Sequence, residues 1–123
     1  MHKFAHKWRN WTIDPDEDPP LLIHLGIMDL STMDNGGKLK KGSHTDENGV
    51  ARDIEGEASG NSLSLSRLDK RGRWEGELTY DQSGDLVIVG KHFTPKFAPA
   101  AKKHPAKGVA LDQNEEPWVI TKP

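Results

Sequence analysis

The feature that most constrains the fold of this chain is the even spacing of its turn sequences. Glycines at positions 49, 60, 72 and 84 each lie in a short polar turn, and successive glycines are 11, 12 and 12 residues apart. The pairs Asn48-Gly49 and Gly60-Asn61 supply the positive φ angles that tight hairpins require. A repeat of about 8–12 residues is typical of antiparallel sheets rather than of βαβ units. The sequence therefore predicts a β-meander from Gly49 to Phe93.

Apolar and polar residues alternate between these turns, as they do in strands with one buried face. Leu63 and Leu65 alternate with serines, and Trp74 and Leu78 alternate with polar residues, mostly glutamates. The run Leu86–Val89 has no polar member, which predicts a strand that is covered on both faces. The meander is therefore predicted to contain four strands around a common core.

Three glycines fall on the apolar faces of these strands: Gly56, Gly76 and Gly90. A glycine inside a strand often marks a bend or a close approach of two backbones. Inward glycines at several bends predict a strongly curved sheet, which suits a barrel.

The flanking segments add further strands. The residue pattern predicts a first strand at Lys7–Ile13, a long buried strand at Leu21–Leu30, and an edge strand at Lys38–Ser43 whose lysines discourage pairing with another chain. Residues 94–117 are rich in proline and lysine and predict an irregular excursion over the surface. The apolar end of the chain, residues 117–121, predicts a closing strand.

About eight antiparallel strands in 123 residues predict an all-β fold in a single domain, residues 1–123. Eight strands of this length can close into a small up-and-down barrel, closed or nearly so. Such a barrel has no free edges and has room for side chains or one small ligand. A two-layer β-sandwich is the alternative that the pattern leaves open.

Three strand sequences carry a resemblance to a known class of barrels. They are the glycine-led strand from Gly49 to Glu57, the strand Trp74-Glu75-Gly76-Glu77-Leu78, and the terminal strand around Trp118. The pattern resembles the calycins, that is, the small lipocalin-like and avidin-like barrels. The resemblance implies a cup-shaped barrel that can hold a small ligand. The resemblance does not identify any ligand-binding residue in this chain. The segment Trp8-Arg9-Asn10-Trp11 lacks the glycine of the lipocalin Gly-x-Trp sequence, and no avidin biotin-contact pattern is present.

The composition argues against several classes of function. The net charge of −2 gives no general affinity for nucleic acid, and the lack of cysteine excludes disulfides, thiolate catalysis and cysteine-bound zinc. No run approaches the roughly 20 apolar residues of a membrane-spanning helix, and the N-terminus lacks the apolar run of a signal peptide. We therefore expect a cytoplasmic protein with no nucleic-acid or membrane partner.

No motif in the sequence indicates a reaction. It contains no Gly-x-Ser-x-Gly elbow, phosphate-binding loop or His-Glu-x-x-His sequence. The acidic turn 14–18 lacks the glycine and the spacing of a calcium loop. No catalytic residue, metal ligand or cofactor is therefore predicted. Whether the protein is an enzyme stays open, with a non-enzymatic function preferred; a pocket with His24 or His92 beside a buried carboxylate would favour an enzyme.

The candidate ligand-binding residues are polar and aromatic side chains on the apolar strand faces, together with one histidine in the most apolar run. A buried arginine is unfavourable unless a carboxylate or a ligand anion neutralises it, although side chains at strand ends can also reach solvent. The candidates are Arg52, Arg67, Trp74, Tyr80, His92 and His24.

Two functions are compatible with this pattern, because a barrel alone does not define one. The preferred function is a small-molecule binding module that holds an apolar or anionic ligand in the barrel mouth. Aromatic rings would supply contact area, and arginine or histidine would orient an acid group. The alternative is a protein-interaction or homodimerisation module with a solid core and no ligand.

Overall fold

The computed structural model describes residues 2–14, 16–97 and 110–123. Its eight strands are β1 (Lys7–Asp14), β2 (Leu21–Asp29), β3 (Lys38–Thr45), β4 (Ala51–Ser59), β5 (Ser62–Arg67), β6 (Arg73–Tyr80), β7 (Leu86–Phe97) and β8 (Ala110–Thr121). Each strand pairs antiparallel with the next and β8 pairs with β1, so the sheet is a closed barrel. This confirms the predicted all-β fold of eight antiparallel strands, selects the barrel over the sandwich, and agrees with the resemblance at the level of architecture. In the part of the chain that the structure describes, no helix is long and apolar enough to cross a membrane.

The two ends of the barrel differ. At one end, which we call the closed end, the N-terminal segment buries Phe4 and Ala5 together with Leu30 and Met33 of the β2–β3 loop. The indole N–H of Trp8 donates to the Phe4 carbonyl at 3.0 Å and fixes this segment in place. The opposite end, which we call the open end, carries the β1–β2, β3–β4 and β5–β6 turns.

Side chains fill the middle of the barrel. Trp8, Trp74 and Trp118 are fully buried there, and aliphatic side chains from the inner strand faces surround them. The aliphatic members are Met28, Leu39, Ile54, Leu63, Leu65, Ile88 and Ile120. Because these side chains occupy the centre, a ligand site has to lie toward one end of the barrel.

The inward glycines mark close approaches of neighbouring backbones, one of the two outcomes predicted for them. A Cβ built on Gly90 would lie 1.8 Å from the carbonyl oxygen of Glu75 and 2.5 Å from the Cα of Gly76. A Cβ on Gly56 would lie 2.1 Å from the carbonyl oxygen of Ser64. The backbones of neighbouring strands approach each other so closely at these points that only glycine fits.

The predicted edge strand, β3, is paired on both sides only near its C-terminus. Three residue pairs join β2 to β3, and three also join β1 to β8. The free half of β3 is covered by the preceding loop, in which the Thr32 hydroxyl donates to the Lys41 carbonyl at 2.8 Å and the Asp34 backbone N–H donates to the Lys38 carbonyl at 2.9 Å. The prediction of an edge strand was therefore wrong, because β3 lies between β2 and β4 in a closed barrel and a loop covers the half that carries the lysines.

Strand pairing extends into the segment that was predicted to be irregular. β7 and β8 pair from Val87 opposite Thr121 out to Phe97 opposite Ala110. Pro95 lies beyond the end of the β6 ladder at Phe93, so β8 is the one described neighbour of β7 at that point, and proline is tolerated at such edge positions. The closing strand therefore begins at residue 110 rather than 117. Residues 98–109 of the predicted excursion lie outside the described residues.

Two apolar runs are less buried than their sequences predict. Leu21, Leu22 and Ile23 are 53%, 48% and 41% exposed, because the β1–β2 hairpin extends past the open end of the barrel. In the run predicted to be covered on both faces, Val89 is 45% exposed. Strand alternation turns Val89 outward, whereas Ile88 points into the core.

Candidate functional site at the open end

Polar side chains form a layer between the buried tryptophans and the open end, here called the polar layer. Its members are Asn10, His44, Arg67, His92 and Glu116. Strand register brings them together, because His92 on β7 lies opposite both Trp74 on β6 and Glu116 on β8. The barrel thus places two histidines and an arginine directly above its aromatic core.

The buried side chain of Asn10, 1% exposed, links a tryptophan to a histidine. The indole N–H of Trp118 donates to Asn10 Oδ1 at 2.7 Å, and Asn10 Nδ2 lies 3.1 Å from His44 Nε2. An indole can only donate, so the amide oxygen must face Trp118 and the amide N–H must face His44. His44 Nε2 therefore accepts, and its ring is neutral with the proton on Nδ1. That N–H donates to the Leu25 carbonyl.

The surroundings of His44 agree with this neutral form. Burial lowers the pKa of His44 below its ordinary value of 6.5, and the nearby charges of His92 and Arg67 lower it further. The hydrogen bond to the Leu25 carbonyl and the charge of Asp46 act in the opposite direction but do not reverse the shift. Protonation would put an N–H against the Asn10 amide N–H and break the network.

The stability of the protein should therefore fall in mild acid. Because the folded pKa of His44 is lowered, the unfolded chain takes up this proton first as the pH falls. The contribution is complete above pH 6.5 and is lost as the pH falls from there toward the folded pKa. The slope reaches at most about 1.4 kcal/mol per pH unit. Urea unfolding between pH 8 and pH 5 should show this slope in the wild type and a smaller one in His44→Gln.

His6→Gln is the comparison variant for that pH series, because it removes a different histidine whose pKa is also lowered. The pKa of His6, near the closed end, is also lowered, chiefly by burial and then by the charge of Lys122, so this variant should remove a separate part of the slope. Equal slopes in wild type and His44→Gln would contradict the assignment of a neutral His44.

Trp74 lies between the two histidines of the polar layer. Its ring stacks on His92 with 4.7 Å between ring centroids and an angle of 6°, and His44 meets it edge-on at 5.8 Å. The Nε1–H of Trp74 is buried and has no acceptor among the described residues. His92 Nδ1 lies 2.8 Å from Glu116 Oε1, which fixes the orientation of the stacked ring.

Arg67 borders the same histidine. A Cβ placed on Gly72 would lie 3.2 Å from Arg67 Cδ and 3.3 Å from His92 Nε2, so these two side chains flank the β5–β6 turn together. The terminal nitrogen of Arg67 pairs with the Asp69 carboxylate. Its Nε–H is buried and, like the Trp74 indole N–H, finds no acceptor in the part of the chain described here. The open end thus holds two buried N–H donors beside one histidine.

The other three predicted residues lie elsewhere. Arg52 is opposite His44 in register but is exposed, and its charge helps to hold the pKa of Asp46 below the usual range, after the hydrogen bonds from the Val50 and Asn48 backbone. Tyr80 is 69% exposed at the closed end. The structure therefore gathers Arg67, Trp74 and His92 but not Tyr80, and leaves Arg52 at the rim.

His24 lies on the outer side of the barrel. Its ring meets the ring of Trp11 edge-on at 4.8 Å, and its Nδ1 pairs with the Glu47 carboxylate. Trp11 itself donates to the hydroxyl of Thr121 at 2.9 Å on the outer face of β8. His24 consequently has no contact with the polar layer.

The sequence reasoning missed Asn10, His44 and Glu116. A bulge between Leu39 and Gly42 adds one residue to β3, so His44 faces inward although it has the opposite parity from Leu39. Alternation read along the sequence cannot detect that shift. Glu116 fell in the predicted irregular excursion.

A shallow groove of about 460 Å³ lies on the outer face of the sheet over β4–β7. Its lining includes Ser62, Ser64, Glu75, Glu77, Val89 and Phe93. The carboxylates are exposed, and Glu75 pairs with Arg73 at 2.7 Å, as on a solvated outer face. No three His, Asp or Glu side chains among residues 2–14, 16–97 and 110–123 converge as a metal site.

The fold and this site define a class of protein: a small closed eight-stranded antiparallel barrel with a polar layer at one end. Comparisons with protein-family models, curated proteins and solved structures found no match to this chain. The residues of the site are therefore the basis on which a function can be proposed.

Proposed function

We propose that the protein binds a small molecule bearing an anionic group at the open end of the barrel. The observation that carries this proposal is the pair of buried donors, Arg67 Nε–H and Trp74 Nε1–H, without acceptors in the described chain. A buried donor left without a partner costs about 1–3 kcal/mol. A carboxylate or phosphate oxygen that reaches both would recover that cost, and an anion would also be attracted by the guanidinium charge.

An anionic ligand fits this end better than a purely apolar one. The centre of the barrel is occupied by Trp8, Trp74 and Trp118, so an apolar molecule has little room to enter. The side chains of Arg67 and His92, which stand beside the Trp74 ring or the β5–β6 turn, are 22% and 17% exposed, so this end of the barrel borders solvent. Modest movement of these two side chains would admit an oxygen acceptor. The calycin-like architecture supports a site at the barrel mouth, and kinship with lipocalins or avidins is not needed for it.

The four tryptophans provide a direct test. The indole N–H groups of Trp8, Trp11 and Trp118 donate to protein acceptors at 3.0, 2.9 and 2.7 Å, whereas that of Trp74 does not. In a ¹H–¹⁵N spectrum, titration with acetate or inorganic phosphate should shift one of the four indole signals saturably. Trp74→Phe should delete that signal. A spectrum without any saturable shift, or with a shift that persists in Trp74→Phe, would refute the proposal.

Arginine variants test the charge requirement of the same site. Arg67→Gln should weaken anion binding at least tenfold, because it removes the charge and one of the two donors. Arg73→Gln is the matched control, since Arg73 lies on the outer face over the Phe93 ring at 3.9 Å. Equal losses in both variants would point to a general electrostatic effect rather than to a site.

Homodimerisation is a second candidate function, favoured by the exposed apolar side chains of Leu21, Leu22 and Ile23. Exposed apolar patches often mark protein-binding surfaces. Sedimentation velocity at several concentrations would detect a dimer, and Leu22→Ser should dissociate it. A monomer at all concentrations would remove this candidate.

A further inference from the structure

We infer that the ligand of the open end is an amphiphilic acid whose head group contacts Arg67 and Trp74 while its apolar tail lies along the inner face of the β1–β2 hairpin. This inference rests on the proposed anion site and adds the chemical class of the ligand. The orientation is head-inward and tail-outward, the reverse of what a deep apolar cup would impose.

The β1–β2 hairpin extends beyond the polar layer far enough to contact a ligand tail. Asn10 is the last fully buried residue of β1, and the strand continues to Asp14. Four residues at about 3.3 Å each give a wall of roughly 13 Å. Across this wall, Thr12 pairs with Ile23 and Asp14 pairs with Leu21. The wall begins directly beyond Asn10, which is itself a member of the polar layer.

Strand alternation shows which side chains of the wall face the barrel axis. Trp11 faces outward, because its indole N–H donates to Thr121 on the outside of β8. Thr12 therefore faces the opposite side, and its partner Ile23 shares that side, since cross-strand partners lie on the same face. Leu21, two residues from Ile23, lies on the inner side as well, whereas Leu22 lies on the outer side.

The inner side of the wall carries two exposed apolar side chains, Leu21 and Ile23, beside their polar partners Asp14 and Thr12, and the interior below it is filled. Leu21 and Ile23 are 53% and 41% exposed, which leaves area for a tail to cover. The tail cannot enter the centre of the barrel behind the head group, because the buried rings of Trp74 and Trp118, both 1% exposed, fill that space. An acid with an alkyl tail satisfies the two donors and covers the exposed wall at the same time, which neither a simple anion nor a neutral apolar molecule does.

A series of alkyl carboxylates tests the inference. Acetate, butyrate, hexanoate, octanoate and decanoate would be titrated against the Trp74 indole signal. Full burial of a methylene corresponds to roughly a fourfold gain in affinity, so a tail covered on one side should gain about twofold per methylene. The gain should level off when the tail is longer than the hairpin wall. Octanol, which has the tail without the acid, should bind at least tenfold more weakly than octanoate.

Two substitutions on adjacent residues of β2 locate the tail. Ile23→Ser, on the inner side, should flatten the chain-length series and leave the affinity for acetate unchanged. Leu22→Ser, on the outer side, should leave the whole series as in the wild type. Both side chains are partly exposed, so urea unfolding can verify that each variant is folded. Equal slopes in the two variants would overturn the inference.

The outcomes separate this inference from the proposed anion site. If acetate does not shift the Trp74 signal, the anion site itself fails. If acetate shifts it but affinity does not rise with chain length, the anion site stands and the amphiphilic ligand is excluded. If Leu22→Ser and Ile23→Ser both dissociate a dimer and leave the chain-length slope unchanged, a second copy of the chain covers the wall and the inference is wrong.

Discussion

Replacing Gly90 with alanine is expected to destabilise the barrel by at least about 3 kcal/mol, at or above the upper end for overpacked sites. The new methyl group would lie 1.8 Å from the Glu75 carbonyl oxygen, an approach that no side-chain rotation can relieve. The facing strand cannot simply move away, because β6 is also paired with β5 on its other side in the closed barrel. Equilibrium urea unfolding of Gly90→Ala and wild type measures the difference.

Gly36→Ala is the matched control for this substitution. A Cβ at Gly36, in the exposed β2–β3 loop, would have its nearest neighbour at 3.4 Å, the Asp34 Oδ1 atom, which is an ordinary contact. The free energy of unfolding should change by less than about 0.5 kcal/mol there. If Gly90→Ala were as mild as Gly36→Ala, the close approach of β6 and β7 would not be a property of the folded protein.

The second large effect is expected from Asn10→Leu, which keeps the approximate size of the side chain but removes its polar atoms. The Trp118 indole N–H would lose its acceptor and His44 Nε2 would lose its donor. Two buried polar groups left without partners cost about 2–6 kcal/mol together. A double-mutant cycle with Trp118→Phe should recover about 1 kcal/mol or more, because the stranded donor is then absent. A loss that is strictly additive would contradict the hydrogen bond.

Asn10→Asp distinguishes the hydrogen-bond network from packing alone. A carboxylate can still accept from Trp118, but it offers His44 Nε2 an acceptor where the amide offered a donor. The protonated ring is then favoured, so the folded pKa of His44 should rise. On acidification the free energy of unfolding should therefore fall less in this variant than in the wild type, or should rise. An unchanged pH dependence of the free energy of unfolding would mean that Asn10 and His44 are not coupled.

Much of the barrel could be predicted from local sequence patterns. Regular turn spacing and alternation gave the four strands of the meander, and the inward parity of Gly56, Gly76 and Gly90 indicated its curvature. These patterns depend on neighbouring residues, so they can be read without knowing the tertiary structure. The exposure of Leu21–Ile23 could not be read in this way, because an apolar run looks the same whether it lies inside a barrel or extends beyond its rim.

The candidate site was predictable only where the strands are regular. Arg67, Trp74 and His92 lie on β5, β6 and β7, whose register is uninterrupted at these residues, and their inward parity was visible. His44 lies beyond a bulge, which reverses parity within one strand. Asn10 stands between two tryptophans of opposite parity, Trp8 and Trp11, so the sequence does not say which tryptophan shares its face.

The short ladders on either side of the β1–β2 hairpin give Asn10 a role in holding the barrel shut. Three residue pairs join β2 of the hairpin to β3, and three join β1 to β8. Backbone hydrogen bonds therefore hold the hairpin only weakly to its two neighbouring strands. From β1, the Asn10 amide crosses one junction to Trp118 and the other to His44. The Asn10 side chain thus stabilises both the β1–β8 and the β2–β3 junctions. Protonation of His44 would weaken the second of these. The protection of backbone amides against hydrogen exchange, corrected for the intrinsic exchange rate at each pH, should then fall first in β1 and β2 as the solution becomes acidic.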